Sequence, residues 1–96
     1  MIKDQEKLIK LAQDSNLVWN KIDQISHFHE EMGELMTAIS QFRRGRIDIG
    51  EVQEEIADVI IMAFAVADIY GMEGVKEQII NKMQVTEDRI NEAMNK

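Results

Sequence analysis

The chain has 96 residues, 45% of them apolar, and a formal charge of −7, which suits one small globular domain whose modest core invites further copies of itself. It has no cysteine, which excludes disulfides, thiolate metal sites and a cysteine nucleophile. The acidic balance argues against nucleic acid as a partner, because the basic residues are scattered apart from the short cluster of Arg43, Arg44 and Arg46.

With no proline and five glycines, little forces a helix to break, and the whole of residues 1–96 reads as one all-α domain. The first segment runs from about Lys3 to Asp14, with Leu8, Ile9, Leu11 and Ala12 on its apolar side. "DSN" at 14–16 predicts a break, since all three residues favour turns and caps. The second segment runs from about Asn20 to Arg44. Its Ile25, Phe28, Met32, Leu35, Ile39 and Phe42 recur in steps of three and four, a helical stripe that ends near Gly45.

The third segment opens at "DIGE", where Asp48 and Glu51 have capping-box spacing, and it stops at Gly71. Val59 to Ala67 is apolar on every side. Such a helix needs neighbours all round, so a second copy of the chain is expected against it. The same run is about half the length of a membrane span and is bounded by Asp58 and Asp68. No basic-then-apolar leader opens the sequence, and a cytoplasmic protein with no membrane partner is expected. The fourth segment runs from about Gly74 to the end, with Val75, Ile79, Met83, Ile90 and Met94 facing inward. The sum is an up-and-down four-helix chain, assembled as a homodimer or homotetramer.

Two pairs of acids border the apolar faces. Glu31 and Glu34 lie three apart on the second segment, and Glu55 and Asp58 three apart on the third. Acids at this spacing are common on solvated helices. Here, however, the residues four further on are Leu35, Ala38, Val59 and Met62, so no Lys or Arg balances them in the usual way. Brought together between helices, such acids must take up protons or enclose a cation. Oxygen-only ligands select a hard ion, Mg²⁺ or Mn²⁺. A di-iron site is disfavoured, because neither His27 nor His29 lies three after a Glu.

At these residues the sequence resembles the MazG-like family of all-α nucleoside triphosphate pyrophosphohydrolases. The signature Glu-Glu-x-x-Glu followed by Glu-x-x-Asp appears as "EEMGE" at 30–34 and "EIAD" at 55–58, with twenty residues between. The likeness covers about His27 to Arg89. It implies that Glu31, Glu34, Glu55 and Asp58 bind Mg²⁺, and that a nucleoside triphosphate is cleaved to the monophosphate and pyrophosphate. Glu30 would orient or deprotonate the attacking water, or is a solvated acid. Lys82 and Arg89 would hold phosphates, or belong to a charged outer face; Thr86 stands between them where the family commonly has Asn. His27, in line with Glu31 and Glu34, is a substrate contact or an exposed helix residue. Trp19 stacks on a base or anchors the first segment. Sister enzymes directed at dUTP, dCTP or phosphoribosyl-ATP, and a non-catalytic helical interaction module, are the rival readings.

Overall fold

The computed structural model describes residues 4–95. Four helices follow in order: α1 (Gln5–Val18), α2 (Lys21–Arg43), α3 (Ile49–Tyr70) and α4 (Met72–Met94). No strand occurs among the described residues. The expected start at Lys3 lies outside them.

Local chemistry sets most of the boundaries. The Asn20 side chain accepts the Asp23 N–H at 2.8 Å and caps α2, and Asp48 accepts the Glu51 N–H at 3.0 Å and caps α3. Gly45 (φ 72°) turns the chain after α2, and Gly71 (φ 106°) joins α3 to α4 with no intervening loop. Both conformations are strained for any residue with a Cβ.

The predicted break at Asp14–Asn16 does not occur, and α1 continues through these residues to Val18. Tertiary bonds override their turn preference. Ser15 Oγ donates back to the Ala12 carbonyl at 2.8 Å. Asn16 Nδ2 donates to the Ala65 carbonyl at 2.9 Å and to the Asp68 carboxylate at 3.0 Å, both on α3. Gln24 of α2, only 4% exposed, donates through Nε2 to Ser15 Oγ at 2.9 Å and to Asn16 Oδ1 at 3.0 Å. A polar knot thus ties three helices where an apolar core would otherwise stand. Asn16→Ala strands a Gln24 donor and takes a partner from the Asp68 carboxylate, and is expected to destabilise the protein by about 1–3 kcal/mol in urea unfolding.

Helix α3 is the hub. It packs most extensively on α2, then on α1, and sparsely on α4. Lys21, at the start of α2, sits 5.0 Å over the Tyr70 ring at the end of α3, so these two helices run antiparallel. Asp4 and Lys7 lie near Ala57, and Asn16 near Asp68, so α1 runs parallel to α3.

The buried core among the described residues consists of Ala12, Ala38, Ala65 and Gln24. The Cα radius of gyration is 16.1 Å, against about 13 Å for a compact chain of 100 residues. The expected inward face of α4 is not buried within one chain. Ile79, Met83, Ile90 and Met94 are all exposed, Met83 to 63%, because no other helix among the described residues reaches along that face.

Candidate metal centre

Antiparallel packing of α2 on α3 faces the middle of one helix toward the N-terminal half of the other. That arrangement gathers three acids. Glu31, Glu34 and Glu55 each present a carboxylate oxygen, and the three oxygens lie within 4.8 Å of one another. The Glu31 side chain is only 12% exposed, and its Oε1 accepts from His27 Nε2 at 3.0 Å. Its other oxygen, Oε2, is buried with no hydrogen-bond partner, and so is Oε2 of Glu55.

Two unpartnered carboxylate oxygens, inward-facing and near like charges, are costly unless a proton or a cation compensates them. The electrostatics agree. The Glu55 carboxyl titrates above the ordinary glutamate range, chiefly through desolvation and then through repulsion from Glu34, Glu31, Asp58 and Glu54. The donor set is all oxygen, which matches a hard divalent cation.

The other expected site residues lie around this cluster or away from it. Asp58, one turn beyond Glu55, is exposed and brings no oxygen into the group, although its charge is felt at Glu55. An aspartate is one methylene shorter than a glutamate, so the same three-residue spacing gives it less reach. Glu30 is exposed on α2. Lys82 and Arg89 are exposed on α4, and among the described residues neither forms an ion pair with the cluster. His27 is half exposed and bonded to Glu31, so it touches the cluster directly.

Beside the cluster opens a cavity of about 550 Å³ between α1, α2 and α3. Leu11, Ile61 and Met62 give it an apolar wall, and Trp19, Gln24 and His27 line it as well. Because His27 borders this cavity and also bonds Glu31, the two features are contiguous. The sequence reading did not single out Gln24. One signal was present: Gln24, His27, Glu31 and Glu34 follow steps of three, four and three, so they share one side of α2.

No curated protein and no solved structure is matched by this chain. A family model described as the MazG nucleotide pyrophosphohydrolase domain matches residues 21–90, a stretch that holds both acid pairs and runs from the first residue of α2 well into α4. The chain therefore belongs to the MazG nucleotide pyrophosphohydrolase domain family.

Proposed function

We propose that this protein is a divalent-metal-dependent hydrolase that cleaves a nucleoside triphosphate to the monophosphate and pyrophosphate. The observation that carries the proposal is the convergence of Glu31, Glu34 and Glu55 with two buried, unpartnered oxygens, inside a chain of this family. These three residues would hold Mg²⁺, or the equally hard Mn²⁺, with Asp58 the fourth acid on the adjoining turn. When bound, such an ion supplies positive charge to the phosphates and acidifies water.

The chain's own residues do the rest. Oxygen from water forms a bond to the α-phosphorus, the bond to the bridging oxygen of the β-phosphate breaks, and pyrophosphate leaves. Glu30, exposed beside Glu31, orients the water and takes its proton. His27 fixes the Glu31 carboxylate by donating to Oε1. Lys82 and Arg89 bind the charge of the departing phosphates. Positioning and charge neutralisation carry most of such a reaction, so a small helical scaffold suffices.

The working unit is a homodimer or homotetramer in the cytoplasm. A single chain leaves Ile60 of α3, and Ile79, Met83 and Ile90 of α4, open to solvent. Apolar faces of this extent belong at interfaces. A second copy would also bring Lys82 and Arg89 of α4 against the acids of its partner. No helix among the described residues is long and apolar enough to cross a membrane.

The test is an assay of pyrophosphate release from ribo- and deoxyribonucleoside triphosphates with Mg²⁺, alongside the mass in solution by light scattering. Metal-dependent release of pyrophosphate from an assembly of two or four chains is expected. Release of orthophosphate instead, or no turnover of any nucleotide, would overturn the reading.

A further inference from the structure

The polar knot fixes the chemistry of the cavity beside the carboxylates. Backbone carbonyls accept only, so two of them set the direction of every bond in the knot. The Ala12 carbonyl takes the Ser15 hydroxyl proton, which leaves Ser15 Oγ as an acceptor toward Gln24. The Ala65 carbonyl takes an Asn16 amide proton, which makes Asn16 Oδ1 an acceptor toward Gln24 as well. Both hydrogens of the Gln24 amide are therefore committed to α1, and the amide cannot flip without leaving donors facing donors. Its carbonyl oxygen Oε1 accepts no hydrogen bond from the described residues and is not sealed from solvent.

A second polar group on this wall, Asp23, has the same sense. The Asp23 carboxylate accepts from Asn20 Nδ2 at 3.0 Å. The cavity thus combines an apolar wall, the indole of Trp19, the Asp23 carboxylate and a Gln24 carbonyl whose direction the knot fixes. At about 550 Å³ it has the size of a small-molecule site.

We propose that this cavity is a base site and that Gln24 is its specificity-determining residue, selecting nucleobases that carry an exocyclic amino group over their oxo counterparts. The inference rests on the nucleotide reading above and names the substrate class of that site. An amino group, as on cytosine or adenine, gives Gln24 Oε1 a hydrogen. The oxo group of uracil or hypoxanthine sets one lone pair against another and leaves both buried acceptors unpaired. The flat face of either base stacks on Trp19, so stacking does not discriminate.

The test pairs ligands that differ at that one position: CMP against UMP, and AMP against IMP. Trp19 is the single tryptophan of the chain and lines the cavity, so its fluorescence reads binding without turnover. The amino member of each pair is expected to bind about 10- to 100-fold tighter, and the triphosphates to show the same ratio in kcat/KM. Gln24→Leu, checked for folding by circular dichroism, should bring both ratios close to one. Equal binding, a preference for the oxo base, or no binding of any monophosphate overturns the proposal, and the wild-type comparison decides this even where the variant does not fold. Pyrophosphate release without base preference would sink the role of Gln24 and leave the hydrolase reading standing. Amino-selective binding without turnover would do the reverse.

Discussion

Glu55→Gln is expected to lower pyrophosphohydrolase turnover by more than about 100-fold while leaving the helices intact. Loss of even a supporting partner of a metal ligand costs about 10- to 100-fold in affinity or activity, and Glu55 is placed as a ligand itself. The substitution keeps the side chain's length and removes its charge, so packing between α2 and α3 is preserved. Stability should move the opposite way from activity. In the protein without metal, Glu55 carries a pKa above the ordinary glutamate value because of burial and of Glu34, Glu31, Asp58 and Glu54. The native state therefore holds this proton more tightly than the unfolded chain does. At a pH above the raised value the ionised group works against folding; as pH falls toward the ordinary glutamate range, that cost fades. In EDTA at neutral pH the Glu55→Gln variant should melt at a higher temperature than the wild type, and the gap should close on acidification. Full turnover in the variant, with no such pH-dependent gap, would remove Glu55 from the ligand set.

The second large effect concerns the metal itself. Mg²⁺ or Mn²⁺ is expected to raise the melting temperature of the wild type well beyond any general salt effect. An ion at 100 times its Kd stabilises the folded state by about 2.7 kcal/mol. For a chain of this size each kcal/mol shifts the midpoint by about 4–8 °C. Two causes set that Kd: the cation makes favourable contacts, and it relieves the repulsion among Glu31, Glu34 and Glu55 that the apo protein bears. Equal ionic strength of NaCl should give little of this. Glu31→Gln and Glu55→Gln should each blunt it, whereas Glu87→Gln, on the exposed outer part of α4, should not. A helical interaction module without a metal site would show the same melting temperature in Mg²⁺ as in NaCl.

Much of this was readable from residue spacing, and the failures have a common cause. The cap at Asp48, the glycine stops at Gly45 and Gly71, and the extents of α2 and α3 are local, and local rules found them. The three-residue spacing of Glu31 and Glu34, and the inward position of Glu55, were local as well. What was missed depends on partners far along the chain. Asn16 is helical because its side chain bonds residues 49 and 52 positions away, a fact absent from the triplet "DSN". Gln24 is buried because α1 supplies acceptors for both of its amide hydrogens. The apolar stripe of α4 was legible, yet no element among the described residues covers it, because helical periodicity reveals a face and not its partner. Asp58 shows the limit of spacing arguments: equal steps of three on two helices do not give equal reach to side chains of different length.

The claim beneath all of this is that Glu31, Glu34 and Glu55 enclose one hard divalent-ion site. Titration of the protein with Mn²⁺, followed by the loss of the free-ion signal in electron paramagnetic resonance, tests it most directly. The account predicts saturable binding that Mg²⁺ displaces, and that Glu31→Gln or Glu55→Gln weakens at least tenfold. Mn²⁺ that stays free in solution, or binds both variants as tightly as the wild type, would contradict it.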